Sequence, residues 1–343
     1  MNRVVVITGA SSGIGRATAI ELASRGDTVA LIARDAAALN DVVRECEEAG
    51  GRALALPADV TREHDVEHAA RRALEAFGHI DVWINNAAVA LFAKFEDAPP
   101  DAYRRVIETN LFGYIHGARA AMRHFKQRGA GVLVNVDSVV AGAPQPYTSA
   151  YVASKYAVRG WASCLRMELS LEHQRDIHVC SVLPAAIDTP LFQHAANYTG
   201  RAVKALDPVY APEKVARAIA NVIDHPRAEV VVGKAGSVMM ANYAMSPRMY
   251  EKVMARQIDR NHLQDKPSPA TEGNLFATTG PKAAHGGWQK RGTVTADVRR
   301  NRWAIAMGGA AILAAIALTV TRKAGAAGHE HPHGGDYGSG NAS

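Results

Sequence analysis

The chain has 343 residues, 48% hydrophobic, 21% charged and 6% aromatic, with a formal net charge of +6. That apolar content excludes wholesale disorder, and the length allows one large domain with an appendage or two smaller ones. Three widely spaced cysteines, Cys46, Cys164 and Cys180, argue against a disulfide framework or a cysteine-rich zinc site and fit a reducing compartment. From residue 290 onward seven basic residues stand against three acidic ones, so residues 1–289 carry only +2. Nothing in them forms the basic stripe of a nucleic-acid-binding face, and no nucleic-acid partner is expected.

Strand-like apolar runs occur at Val4–Ile7, Thr28–Ile32, Ala53–Leu56, Val82–Asn85, Val132–Val136, Ile177–Val182 and Glu229–Val232. Segments of helical periodicity lie between them, over 14–25, 36–49, 63–77, 101–128, 151–173 and 212–224. Short, nearly continuous apolar strands alternating with helices predict an α/β fold: a Rossmann-like, doubly wound parallel sheet of about seven strands flanked by helices. Residues 236–258 read as one further amphipathic helical piece, whose methionines (Met239, Met240, Met245, Met249, Met254) suit adaptable packing.

The alternation ends near residue 260, so 1–260 is expected to be the main folded domain. Residues 261–302, rich in Gly, Pro, Ser and Thr, read as a flexible linker. Trp303–Thr321 is a run of nineteen uncharged residues, about 28 Å long as a helix, and reads as a single transmembrane helix. Five basic residues precede this run and two follow it, so the positive-inside rule places the domain over 1–260 in the cytoplasm. Ala306, Ala310 and Ala314 recur every four residues, which suits close packing of two such helices. The glycine- and histidine-rich tail, 322–343, is expected to be disordered, and no metal site is expected in the chain.

After the first strand the sequence reads Thr8-Gly9-Ala10-Ser11-Ser12-Gly13-Ile14-Gly15. Glycines between a first strand and a helix let the backbone turn tightly and let a pyrophosphate approach the helix N-terminus. The TGxxxGxG spacing resembles the short-chain dehydrogenase/reductase family. Asp59-Val60, Asn85-Asn86-Ala87-Ala88, the series Asn110, Ser138, Tyr151, Lys155, and the segment Pro184–Thr189 follow in the family's order. Ala88 and Ala185 stand where the family has glycine. The resemblance covers about residues 1–235.

The resemblance implies a catalytic set of Asn110, Ser138, Tyr151 and Lys155. Tyr151 would pass a proton to or from the substrate oxygen, and Ser138 would orient that oxygen. Lys155 would hold the nicotinamide ribose, and Asn110 would hold a water as a proton relay. It implies a cofactor site of Gly9, Ser11, Ser12, Gly13, Ile14, Gly15, Arg34, Asp59, Val60, Asn86, Tyr151, Lys155, Pro184 and Thr189. Spacing adds two readings of its own. Tyr151 and Lys155, four apart on a helix, share a face, and a nearby ammonium favours the phenolate. Ala33 and Arg34 stand at the end of the second strand, where an acid would repel a 2′-phosphate and an arginine would pair with one, so NADP is favoured over NAD.

The expected function is NADP(H)-dependent interconversion of a carbonyl and an alcohol by a membrane-tethered homodimer or homotetramer. The apolar loop over 190–210 (Leu191, Phe192, Ala195, Ala196, Tyr198, Leu206) suits a small or apolar substrate. Two alternatives are a tethered NADP(H)-binding, redox-sensing module without turnover and a polyol or sugar dehydrogenase of the same family. A chain ending near residue 260 is expected to keep the whole active site.

Overall fold

The computed structural model describes residues 3–280 and 282–289. Seven strands form one parallel sheet: β1 (Val4–Thr8), β2 (Thr28–Ala33), β3 (Arg52–Pro57), β4 (Val82–Asn85), β5 (Gly131–Val136), β6 (Ile177–Pro184) and β7 (Glu229–Val232). Their order across the sheet is β3-β2-β1-β4-β5-β6-β7, each neighbour pair parallel. The order reverses between β1 and β4. In an open α/β sheet a ligand crevice opens at that switch point, outside the carboxyl ends of the strands.

The helices are α1 (Gly13–Ser24), α2 (Ala36–Glu48), α3 (Glu63–Phe77), α4 (Pro100–Ile107), α5 (Gly113–Arg128), α6 (Ser149–Leu171), α7 (Pro212–Asp224), α8 (Lys234–Met245) and α9 (Pro247–Asn261). Alternate strand residues feed two cores. Val5, Ile7, Val29 and Leu31 pack with Leu22 of α1, Val42 of α2 and Ile219 of α7. Val6, Ala30, Ile32 and Trp83 pack with Ala69 of α3, Phe125 of α5 and Ala162 of α6. Both faces of the sheet are thus covered, which explains why its strands read as continuous apolar runs.

Three features depart from the expected elements. The stretch expected as one helix over 101–128 contains a wide π-turn, Glu108–Phe112, between α4 and α5, and such turns concentrate at functional sites. The methionine-rich piece is two helices, α8 and α9, broken at Ser246, because Pro247 cannot continue α8 and instead opens α9. Met239, Met240 and Met254 pack around Tyr250 and Ile258, whereas Met245 and Met249 are exposed.

The third departure corrects the expected linker. Leu263–Pro267 forms a strand antiparallel to Arg201–Val203. Leu275 is fully buried among Val89, Leu91, Val106 and Ala196. Beyond it, Trp288 donates its backbone N–H to Asp188 and its indole N–H to the Thr189 carbonyl. The described part of 261–302 is therefore a strap laid across the body, and the compact unit extends to about residue 290 rather than 260. The expected transmembrane run Trp303–Thr321 and the histidine-rich tail lie outside the described residues. Among the described residues no helix is long and apolar enough to cross a membrane.

Candidate active site

The glycine-rich turn leaves β1 at the switch point and is tied to the end of β4. Thr8 Oγ1 accepts from the backbone N–H groups of Asn86 and Ala87, and Asn86 Nδ2 donates to the carbonyls of Thr8 and Gly9. Gly9 has φ +66, and a Cβ there would stand 2.7 Å from Ala87 Cα; a Cβ on Gly15 would stand 2.3 Å from the Gly9 carbonyl. Only glycine fits either place. The Asn86 side chain is thus a staple for the turn. Helix α1 opens at Gly13 with no side-chain cap from Ser12, and the Gly13 N–H donates to the Ala283 carbonyl of the strap. Ser11, Ser12, Gly13 and Ile14 line a cleft of about 190 Å³.

At one end of this cleft Arg34 follows β2, and Asp35 caps α2 through Ala38 N–H. The Arg34 guanidinium donates to the carbonyls of Leu275 (3.0 Å) and Asn274 (2.6 Å). Burial lowers its pKa, helped by Arg105 and opposed by Asp59. Arg105 of α4 also donates to the Leu275 carbonyl, at 3.0 Å, and pairs with Asp59 at 2.6 Å. Burial alone would raise the Asp59 carboxyl, but Thr61 and Arg105 outweigh it and hold the pKa below the usual range. Val60 is buried beside it. Asn274, Thr278 and Lys282 complete this wall from the strap.

Of the four expected catalytic residues, Tyr151 and Lys155 line this cleft, Ser138 lines the neighbouring cavity and Asn110 lines neither. Lys155 is wholly buried on α6 and donates to the Val136 carbonyl (2.9 Å) and to the Tyr114 hydroxyl (3.3 Å). Burial lowers its pKa to about 8, with Asp137 opposing. Its ammonium is 5.7 Å from the centroid of the Tyr151 ring. The expected lowering of the Tyr151 pKa by this ammonium does not appear. Burial and Asp137 push that phenol up, and only Ser138 pulls it down. Ser138 follows β5 and its hydroxyl accepts from Val140 N–H, capping a single turn over Val139–Ala141.

Asn110 stands in the π-turn, fully buried. Its Oδ1 accepts from Val89 N–H, and its Nδ2 donates to the Val89 carbonyl and to Ser154 Oγ. It therefore fixes the loop after β4, and its hydrogen bonds go to Val89 and Ser154 rather than to Lys155. Pro184 ends β6, and Thr189 follows it, in van der Waals range of a Cβ placed on Gly13.

A second cavity of about 140 Å³ shares the walls Ile14, Asp137, Tyr151, Thr189 and Leu191 with the cleft. Its remaining lining includes Ser138, Val140, Phe92, Phe192, Leu206 and Met239. His262 lies between Phe92 and Phe192, edge-on at 5.0 and 5.5 Å. Burial lowers its pKa to about 4, against the Lys204 carbonyl, so it is neutral at ordinary pH. Sequence reasoning missed His262, Phe92, Arg105 and the strap residues. Asp137 carried one signal, an acid immediately before the serine.

Among the described residues the cleft fits a dinucleotide: a glycine turn without room for side chains, a helix N-terminus with no side-chain cap, a guanidinium hydrogen-bonded to neutral carbonyls, and a shared wall carrying Tyr151. The sequence profile described as short chain dehydrogenase matches residues 3–199. An uncharacterized oxidoreductase of Bacillus subtilis, YxnA, is 36% identical over 278 residues, covering 80% of this chain and 78% of the relative. A 3beta-hydroxysteroid dehydrogenase of Eggerthella lenta is 36% identical, covering 64% of this chain and 85% of its own. The solved structure of an alcohol dehydrogenase from the archaeon Thermococcus sibiricus, complexed with 5-hydroxy-NADP, superposes with a TM-score of 0.60 at 28% identity, covering 68% of this chain and 96% of that one. The chain belongs to the short-chain dehydrogenase family and is a NAD(P)-dependent oxidoreductase acting on CH–OH groups.

Proposed function

We propose that the protein interconverts a carbonyl and an alcohol with NADP(H), on a small or apolar substrate. The observation that carries this reading is the wall shared by the two cavities, where Tyr151 stands between the cofactor cleft and an apolar chamber. A nicotinamide bound in the cleft supplies or accepts the hydride. Tyr151 gives its phenolic proton to the substrate oxygen in reduction and takes it back in oxidation. Ser138 orients that oxygen from inside the apolar chamber.

Lys155 and Tyr151 hold the nicotinamide ribose, and Asn110 holds the loop that closes over it. Gly9, Ser11, Ser12, Gly13, Ile14 and Gly15 form the pyrophosphate cradle. Asp59 and Val60 flank the adenine, Asn86 braces the turn, and Pro184 to Thr189 bound the nicotinamide. Arg34 reads the 2′-phosphate, which favours NADP over NAD. The apolar lining and a relative named for a hydroxysteroid support an apolar alcohol or ketone.

The test is the purified full chain with NADPH and a panel of ketones and aldehydes, including lipid extracts, followed by loss of the reduced cofactor. Bound cofactor with no turnover on any carbonyl would overturn the reading. The reading also places a homodimer or homotetramer at a membrane, held through Trp303–Thr321, with the catalytic domain cytoplasmic. Full-length protein should then resist carbonate and high-salt extraction. Release by salt alone would assign the attachment to the flanking arginines.

A further inference from the structure

Asp137 follows β5, immediately before Ser138, and is 3% exposed. Neither carboxylate oxygen is in good hydrogen-bonding geometry with any donor among the described residues. It lines both the cofactor cleft and the apolar chamber. A buried carboxyl without partners is costly, and such groups in native proteins call for an explanation.

The charged and titratable groups around Asp137 do not supply a partner. From α6, Lys155 directs its ammonium to the Val136 carbonyl and the Tyr114 hydroxyl. Arg159, also on α6, is held bidentate at 2.8 Å by both carboxylate oxygens of Glu229 on β7. Tyr151 of α6 and Tyr114 of α5 are neutral phenols raised by burial. The charges of Arg159 and Glu229 cancel, and the Lys155 ammonium balances Asp137 in sign while bonding elsewhere, which leaves the Asp137 carboxylate unbonded on the wall shared by the two cavities.

We propose that Asp137 is a binding residue for the positive charge of the oxidised nicotinamide ring. The inference rests on the cofactor reading above, which puts the adenosine end at Arg34 and so the nicotinamide end at Tyr151 and Asp137. The oxidised ring carries one positive charge and the reduced ring none. A carboxylate in low dielectric beside that ring therefore distinguishes the two redox states of one ligand. Burial raises the Asp137 pKa to about 7, with Lys155 and the adjacent Ser138 amide pulling it down. Above about pH 7 the carboxylate is ionised and attracts the cation, and below it the neutral acid does not.

The experiment is direct titration of the full chain with NADP⁺ and, separately, NADPH, by calorimetry from pH 6 to 8.5. It is repeated with Asp137→Asn, nearly isosteric, and Asp137→Ser, which removes the acid altogether. In the wild type, NADP⁺ affinity should rise with pH through neutrality while NADPH affinity stays comparatively flat. In both variants NADP⁺ should bind about tenfold or more weakly, without that rise, and NADPH should be nearly unaffected. Unchanged NADP⁺/NADPH ratios in the two variants would overturn the proposal and leave the cofactor reading standing. Failure of the wild type to bind either nucleotide would overturn both.

Discussion

The guanidinium of Arg34 donates to the carbonyl of Leu275, 241 residues further along the chain, at 3.0 Å. The residue best placed to read a 2′-phosphate is thus engaged by a neutral oxygen of the strap. Arg34→Ala should weaken NADPH binding by about 1.5–3 kcal/mol, roughly ten- to 150-fold, while changing NADH binding far less. Parallel titrations with both reduced cofactors check this. Equal losses would mean that Arg34 holds the strap and does not read the phosphate.

Leu275 is the strap's apolar anchor. Leu275→Ala should cost about 2–5 kcal/mol of stability, as large-to-small changes at fully buried positions do, read by denaturant unfolding. A loss below about 0.5 kcal/mol would show that the strap does not dock in solution.

The chain length that suffices for activity changes accordingly. Ending the chain near residue 260 removes the partner strand of Arg201–Val203, the Leu275 anchor and the Trp288 bonds to Asp188 and Thr189. Such a chain should melt lower and turn over more slowly than one ending near 290. Comparable melting and turnover in the two would restore the shorter boundary.

Tyr151→Phe should reduce kcat by at least about 100-fold while NADPH binding persists, because the phenol supplies the proton and the cradle lies elsewhere. Residual activity above about a tenth of wild type would remove Tyr151 from the role of essential acid.

His285 lies between Asp188 and Glu213, with ring nitrogens 3.2 and 2.7 Å from their carboxylates. Burial alone would lower its pKa, but the two acids outweigh it and raise it above the ordinary value near 6.5. A raised histidine contributes its stabilisation fully below the unfolded pKa and loses it as pH rises through the folded one. Hydrogen exchange over 282–289, corrected for intrinsic rate, should therefore show more protection at pH 6 than at pH 9. The same pH response in His285→Gln would assign it to another group.

The seven strands were legible because a sheet covered on both faces needs near-continuous apolar runs. Ser138, Tyr151 and Lys155 were picked out by the resemblance to the short-chain dehydrogenase/reductase family, whereas spacing alone put only Tyr151 and Lys155 on one helix face. The π-turn at Asn110 was not, since one wide turn leaves the apolar periodicity of 101–128 almost intact. The strap was not, because its docking relies on two widely spaced apolar side chains, Leu263 and Leu275, on isolated polar contacts from Trp288 and His285, and on backbone carbonyls that any sequence supplies. The direction of the Tyr151 shift was also hidden: spacing showed the ammonium, but not that burial and Asp137 would outweigh it.

The strap and a dinucleotide draw on the same donors, the Gly13 amide and the Arg34 guanidinium. A tethered segment competes at an effective concentration that is typically millimolar, however dilute the protein. What can displace it from Arg34 depends on charge. A phosphate dianion makes a stronger bond with a guanidinium than a neutral carbonyl does, whereas a ribose hydroxyl makes no better one. On the reading proposed above, this built-in competitor would tax NAD more heavily than NADP, and part of that selectivity would reside in a stretch of chain whose composition carries no nucleotide motif at all.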